Sequence, residues 1–112
     1  MSSPITTHVL DTSAGRPAEG VRITLEFLDG EAFREVGEGS TNADGRITDL
    51  LDGELQRGTY KITFHVGEYF DAQGRPSFYP SVPVIFAIRA PGEHYHVPLL
   101  LNPFGYSTYR GS

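Results

Sequence analysis

Apolar and polar residues alternate along most of this chain, and that alternation limits the folds open to it. Successive side chains on a strand point to opposite faces, so such a run buries one face and leaves the other in water. Four runs are long enough to predict strands on their own: 21–27, 60–66, 84–89 and 94–101. Shorter runs predict further strands at 6–11, 33–41, 46–49 and 106–110.

Turn-forming pairs such as Asp29-Gly30, Pro91-Gly92 and Asn102-Pro103 separate these runs. Seven or eight short strands with this punctuation predict an all-β fold, a β-sandwich of two sheets. Residues 67–74 break the alternation and predict one short helix that ends at a glycine cap. The proline-rich stretch 75–83 that follows is predicted to be a loop.

Length and charge exclude several classes of function. With 112 residues, the chain is expected to form a single domain over residues 1–112. Its net charge is −5 and its arginines are dispersed, so we expect no nucleic-acid and no membrane partner. No apolar run approaches the roughly 18 residues of a membrane helix, and no secretory signal is visible, so a cytoplasmic location is expected. The absence of cysteine excludes disulfide and thiolate chemistry.

The four histidines are the first candidates for chemistry, because histidine titrates near neutral pH. His94 and His96 share one strand face, opposite the apolar one, and are either a surface pair or a functional pair buried by oligomerisation. A His-x-His pair can also bind zinc, but no third ligand is evident and we predict no metal site. His8 is either a hydrogen-bonded structural residue or catalytic. His65 is predicted to face solvent.

Arg46 follows a turn that Asn42, Asp44 and Gly45 favour. It is either a surface arginine or a fixed guanidinium that binds a planar carbonyl or an anion. The chain lacks a nucleophile elbow, a P-loop and a dinucleotide fingerprint. Histidine and arginine acting on water are compatible with a hydrolase, without establishing one.

Two long segments resemble signatures of the transthyretin superfamily. Residues 8–18, HVLDTSAGRPA, resemble its N-terminal signature, and residues 95–109, YHVPLLLNPFGYSTY, resemble its C-terminal one. The final residues Tyr109-Arg110-Gly111-Ser112 match the tetrapeptide that distinguishes the 5-hydroxyisourate hydrolase branch from the hormone carriers. One departure is Asn102, where serine is common, but asparagine also suits a turn.

The resemblance implies two four-stranded sheets with one short helix, and a homotetramer, a dimer of dimers, with sites at the dimer–dimer interface. It implies hydrolysis of 5-hydroxyisourate, a cyclic amide ring opening to 2-oxo-4-hydroxy-4-carboxy-5-ureidoimidazoline in urate degradation, without a cofactor. The residues it implies as catalytic are His8, Arg46 and His96. Those it implies as substrate-binding are His8, Arg46, Tyr109, Arg110, Gly111 and Ser112.

Two alternatives remain open from the residues. A non-enzymatic carrier of a small ligand would use the same fold and the same tetramer channel. A β-sandwich interaction domain would recruit partners through its edge strands. Neither alternative requires His8, Arg46, His96 and the terminal tetrapeptide together. We therefore prefer the interpretation that the chain is an enzyme.

Overall fold

A computed structural model describes residues 3–51 and 53–112; Met1, Ser2 and Asp52, which the predicted domain includes, lie outside the described residues. The elements in chain order are β1 (Ile5–Asp11), β2 (Arg16–Pro17), β3 (Arg22–Asp29), β4 (Ala32–Ser40), β5 (Arg46–Ile47), β6 (Gly58–Phe64), α1 (Val66–Asp71), β7 (Val82–Ile88), β8 (Tyr95–Asn102) and β9 (Gly105–Thr108). All the predicted strands are present, and the short strand β2 is additional. The all-β prediction is confirmed.

Two sheets form the sandwich. The second sheet has the order β4-β3-β6-β7. In the first sheet, β1 lies parallel to β8, and β9 lies antiparallel to β8 on its far side. The other edge of β1 carries β2 and β5 end to end, so this sheet has five strands where the resemblance implied four. Because β5 is only Arg46–Ile47, shorter than the predicted strand 46–49, it covers one short part of that edge.

The core lies between the inner faces of the two sheets and follows the predicted alternation. In β1, for example, Ile5, Thr7, Val9 and Asp11 are buried while the residues between them are partly exposed. The largest fully buried side chains include the aromatic residues Tyr60, Phe64 and Phe70. The outer face of β1 therefore carries Thr6 and His8, in the position that the alternation predicts.

Several boundaries differ from the predictions by a few residues, among them the starts of β7 and α1. Strand β7 begins at Val82 and contains Pro83, which was assigned to the preceding loop. A proline fits there because β7 is an edge strand, where a missing N–H removes no ladder hydrogen bond. Helix α1 begins at Val66, one residue before the predicted range.

The predicted glycine cap of the helix is confirmed. Gly74 has a φ of +65°, a conformation that glycine adopts without a steric penalty. Its N–H donates to the Asp71 carbonyl and the Arg75 N–H donates to the Phe70 carbonyl, each at 3.0 Å. This pair of bonds is the Schellman pattern of helix ends. Within residues 3–51 and 53–112, no helix has the length and apolar character needed to cross a membrane.

Candidate active site

The turn before β5 is built by one side chain. Asn42 Oδ1 accepts the backbone N–H groups of Asp44 at 2.9 Å and Arg46 at 3.0 Å. The Asn42 backbone closes the same loop, since its N–H donates to the Arg46 carbonyl at 2.9 Å. The turn chemistry expected of this segment is therefore present, and it holds the Arg46 backbone directly at the start of β5.

The same loop lies against β1 and brings Arg46 beside His8. The Val9 N–H donates to the Gly45 carbonyl at 2.8 Å. His8 and Arg46 are then directly opposite each other in the antiparallel pairing of β1 with β5. The Arg46 side chain is exposed and His8 is half-buried, so both can meet a ligand on the outer face of the first sheet.

His96 lies on the other side of β1. In the parallel pairing of β1 with β8, Thr6 is opposite His96 and His8 is opposite Pro98. The His96 ring is held between two groups: its Nδ1 is 2.9 Å from Thr6 Oγ1, and its Cδ2 faces Gly111. Nε2 is thus the ring nitrogen that Thr6 does not engage.

Three adjacent strands, β5, β1 and β8, therefore carry Arg46, His8 and His96 on one face. We call these three residues the His–Arg–His cluster. Two strand spacings of about 4.8 Å and an offset of two residues of about 3.3 Å each separate Arg46 from His96, about 12 Å between backbones. A planar six-membered ring fits across that distance with a polar group at each side.

The surroundings favour the neutral form of His96. Burial lowers the pKa of His96, and the proximity of the Arg46 charge and of the His8 and His94 rings lowers it further. An uncharged imidazole can accept a proton from a water molecule, whereas an imidazolium can only donate hydrogen bonds to it. The cluster therefore combines a permanent cation with a neutral base.

Residues 109–112, called the tail below, continue the register of β9 along β8. Leu99 is opposite Thr108 at the end of β9, and His96 is opposite Gly111 in an isolated bridge of the same register. Between them Pro98 faces Tyr109, and the pairing breaks there because proline has no N–H to donate. The Gly111 N–H then donates to the His96 carbonyl at 2.8 Å, which docks the tail beside the cluster.

The other tail residues have different surroundings. The Arg110 guanidinium lies 4.3 Å from the centre of the Tyr95 ring and donates to Glu93 Oε1 at 3.1 Å. Tyr109 is 58% exposed, and Ser112 is exposed. Of the four residues predicted to bind substrate here, Gly111 therefore contacts His96 directly, while Arg110 is engaged by the β7–β8 loop.

A cavity of about 530 Å³ lies where the edge strand β7 approaches the tail. Its walls are mainly apolar and aromatic, and they include Val84, Phe86, Tyr95, Val97 and Tyr109. The cavity touches the cluster only at His96; His8 and Arg46 do not line it. The cluster itself lies on an open sheet face rather than in a pocket of a single chain.

The remaining histidines are separated in space. His94 lies beside the cluster, with its Nε2 2.8 Å from Thr6 Oγ1. His65 lies between β6 of the second sheet and α1, half-buried rather than freely solvent-facing, and its Nε2 is 3.3 Å from Thr24 Oγ1. Burial lowers the pKa of His65, and the charge of Arg22 adds to that effect. Among the residues described, no three His, Cys, Asp or Glu side chains are grouped closely enough to hold a metal ion.

Sequence reasoning missed Thr6. A lone threonine on a strand is ordinary, and the sequence by itself therefore gives Thr6 no role. The parallel pairing of β1 with β8 makes it a neighbour of two histidines, and that pairing is not readable from local alternation. The usable signal is the shared face of Thr6 and His8, combined with the shared face of His94 and His96.

Fold and site together define a transthyretin-like β-sandwich that carries a polar His–Arg–His cluster on the outer face of its first sheet. The model of the HIUase/Transthyretin family matches residues 5–111, and the chain belongs to that family.

Individual relatives separate the enzyme branch from the carrier branch. A protein of Rhizobium meliloti (strain 1021) named 5-hydroxyisourate hydrolase 2 is 49% identical over 117 residues, covering 99% of this chain and 98% of the relative. The solved structure of Klebsiella pneumoniae 5-hydroxyisourate hydrolase matches with a TM-score of 0.85 and 41% identity, covering 96% of this chain and 98% of that one. Sea bream transthyretin in complex with thyroxine matches with a TM-score of 0.91 but 28% identity, covering 97% and 95%.

Proposed function

We infer that this chain hydrolyses 5-hydroxyisourate, opening its cyclic amide to 2-oxo-4-hydroxy-4-carboxy-5-ureidoimidazoline in urate degradation. The chain is an enzyme of the cyclic amidohydrolase type. Near-complete alignment with relatives named for this activity supports the conclusion. The observation that carries it is the placement of Arg46, His8 and His96 on three adjacent strands, because that set can polarise a carbonyl and move a proton.

The proposed mechanism assigns one task to each residue. His8 removes a proton from a water molecule that His96 orients, and the water oxygen forms a bond with the ring carbonyl carbon. Arg46 stabilises the negative charge that develops on the carbonyl oxygen. The carbon–nitrogen bond then breaks, and the proton taken from water passes to the leaving nitrogen. No electron donor or acceptor is needed. The histidines hold the proton taken from water until the leaving nitrogen receives it.

The proposal includes a homotetramer, a dimer of dimers, with each site at the dimer–dimer interface. A cluster on an open sheet face excludes water poorly, and small-molecule sites are normally concave. A second copy facing the first sheet would enclose the cluster, and the tail would then line the enclosed space. Light scattering on the purified protein tests the tetramer. We also propose a cytoplasmic location, which cell fractionation tests.

In the proposed site, Tyr109, Arg110, Gly111 and Ser112 position the substrate. The support is the docking of Gly111 on the His96 backbone, which brings the tail to the edge of the cluster. Arg110 would need to leave Glu93 to reach a ligand, and exposed ion pairs of this kind contribute little energy. The tail can therefore exchange its present contacts for contacts with a ligand.

The carrier alternative is distinguished by sequence rather than by backbone. The carrier structure superimposes with a TM-score of 0.91 and the hydrolase structure with 0.85, so the shape of the chain does not separate the two functions. Identity is 28% to the carrier and 41% to the hydrolase. A carrier needs the sandwich, but it has no use for a neutral base beside a fixed cation.

A coupled ultraviolet assay tests the function. Urate oxidase generates 5-hydroxyisourate in the cuvette, and its decay is followed with the wild type, Arg46→Ala and His96→Ala. We expect loss of at least about 100-fold in kcat/KM for both variants, since each removes a group acting on the transition state.

Matched controls are Arg34→Ala and His65→Ala, an exposed arginine on the second sheet and a half-buried histidine between that sheet and α1. Both should retain wild-type turnover. Undiminished turnover in Arg46→Ala or His96→Ala would overturn the mechanism. If the folded wild type did not accelerate decay at all, the hydrolase would be rejected and a ligand carrier would be tested next.

A further inference from the structure

The hydroxyl of Thr6 lies between two imidazole rings on the outer face of the first sheet. Thr6 Oγ1 is 2.8 Å from His94 Nε2 and 2.9 Å from His96 Nδ1. The arrangement follows from the fold, because Thr6 is opposite His96 in the β1–β8 pairing and His94 precedes His96 by two positions on the same face. Both distances are those of well-formed hydrogen bonds.

The hydroxyl has a single proton to donate, and this couples the two rings. In one arrangement His96 Nδ1–H donates to Thr6, and Thr6 donates to His94 Nε2. In the reverse arrangement His94 Nε2–H donates to Thr6, and Thr6 donates to His96 Nδ1. If both rings donated to Thr6, its own proton would need a third acceptor.

We propose that Thr6 is a positioning residue that sets the tautomer of His96 and links it to the state of His94. The productive arrangement runs from His96 through Thr6 to His94, so that His96 carries its proton on Nδ1. Its Nε2 is then an unprotonated acceptor on the open face. This inference rests on the proposed function for its catalytic consequence, but the hydrogen-bond arrangement itself does not.

The charges around His96 favour a ring that keeps one nitrogen unprotonated, as this arrangement requires. Arg46 on β5 and His8 on β1 face the ring from one side, and both disfavour adding a proton to it. In this tautomer the unprotonated Nε2 also carries a lone pair that attracts nearby cations and the hydrogen of a water molecule. The Cδ2 edge of the ring lies next to Gly111, and Nδ1 lies on the side of Thr6.

The link to His94 follows from the same proton count. A protonated His94 must donate from Nε2, so Thr6 then turns its proton toward His96 Nδ1. That moves the His96 proton to Nε2 and removes the acceptor from the open face. Two charged groups outside the cluster adjoin His94: Arg110, which donates to the His94 carbonyl at 3.3 Å, and Glu93, the ion-pair partner of Arg110.

Two substitutions at Thr6 separate the hydroxyl from the shape of the side chain. Thr6→Val replaces the hydroxyl with a methyl group, and Thr6→Ser keeps the hydroxyl. We expect Thr6→Val to lower kcat about tenfold with KM changed less than about twofold, as for other residues that orient a reacting group. Thr6→Ser should restore kcat to within about threefold of wild type. Equal turnover of Thr6→Val and wild type would overturn the catalytic role.

Nitrogen-15 NMR of the histidine rings reads the tautomer directly at a pH where His96 is neutral. The wild type should show a protonated Nδ1 and an unprotonated Nε2 on His96. Thr6→Val should lose this preference, and His94→Phe, which removes the acceptor of the Thr6 proton, should shift His96 toward Nε2–H. A His96 tautomer that is unchanged in both variants would overturn the proposed link from His96 through Thr6 to His94.

The turnover assay and the NMR experiment together distinguish failure of the proposed function from failure of the proposed role of Thr6. An inactive wild type with the expected NMR changes would reject the proposed function but support the link from His96 through Thr6 to His94. An active wild type whose His96 tautomer does not depend on the Thr6 hydroxyl would reject that link alone. Circular dichroism on each variant checks the fold, and the His96 tautomer in His94→Phe supplies the answer if Thr6→Val does not fold.

Discussion

Gly45 and Val9 are in direct backbone contact, and this contact places Arg46 beside His8. The Val9 N–H donates to the Gly45 carbonyl at 2.8 Å. A Cβ added to Gly45 would lie 2.4 Å from the Val9 carbonyl oxygen, and Gly45 has a φ of +75°. Both the conformation and the space therefore require glycine at this position.

Gly45→Ala should move the loop away from β1 and carry Arg46 with it. We expect a loss of stability of roughly 2–4 kcal/mol, the sum of a left-handed backbone penalty and a steric clash. The loss of kcat/KM should exceed what the unfolded fraction explains. Gly30→Ala is a matched control, because Gly30 has a φ of +71° and nothing within 4 Å of an added Cβ. Equal effects in the two variants would show that the contact with Val9 is unimportant.

Gly111→Ala tests the contact between the tail and His96. A Cβ at Gly111 would lie 2.6 Å from His96 Cδ2, so either the ring or the tail must shift. We expect kcat/KM to fall about tenfold or more, because small misplacements of reacting groups are costly. The melting temperature should change little, since the tail lies at the surface. Gly92→Ala, with nothing within 4 Å of its Cβ, should retain full activity.

Much of this fold follows from local sequence, because alternation and turn residues are local properties. The burial pattern of β1 and the glycine cap at Gly74 agree with prediction for that reason. The fifth strand of the first sheet does not, since β2 is only Arg16–Pro17 and two residues carry too little pattern to predict a strand or the edge that it joins. The proximity of Thr6 to His94 depends on a parallel pairing between the two ends of the chain, so only the assembled fold reveals it.

Arg46→Gln should raise the pKa of His96. Burial and then the charge of Arg46 are the two largest causes that lower this pKa in the wild type, and the substitution removes the second. Protonation of His96 will therefore begin at a higher pH in the variant than in the wild type. An NMR titration of the ring measures this without relying on turnover. Arg34→Gln, on the second sheet, should leave the His96 titration unchanged, and an equal shift in both variants would contradict the assignment.

Asp11 links the β1–β2 turn to the helix and the loop after it. Its carboxylate is fully buried and accepts from the Ser13 hydroxyl at 2.6 Å, the Tyr69 hydroxyl at 2.8 Å and the Arg75 guanidinium at 2.6 Å. Burial by itself would raise the pKa of Asp11, but the hydrogen bonds from Ser13, Arg75, Tyr69 and the Ala14 backbone outweigh it and lower the pKa to about 2.

The ionised form of Asp11 should therefore stabilise the fold above its unfolded pKa. That pKa is 3.8, so the contribution is complete above this value and is lost as pH falls toward about 2. At 1.36 kcal/mol per pKa unit the contribution is about 2 kcal/mol at neutral pH. Asp11→Asn should lower the free energy of unfolding at pH 7 by roughly 2–4 kcal/mol, since it also leaves Arg75 without its charged partner.

Urea unfolding at several pH values between 7 and 3 checks this prediction. The difference between wild type and Asp11→Asn should shrink below about pH 4, because the wild-type carboxylate then begins to take up a proton. Asp29→Asn removes an exposed carboxylate 3.5 Å from Arg34 and should cost less than about 0.5 kcal/mol. A constant difference down to pH 3, or equal losses in the two variants, would mean that Asp11 acts through packing rather than through its charge.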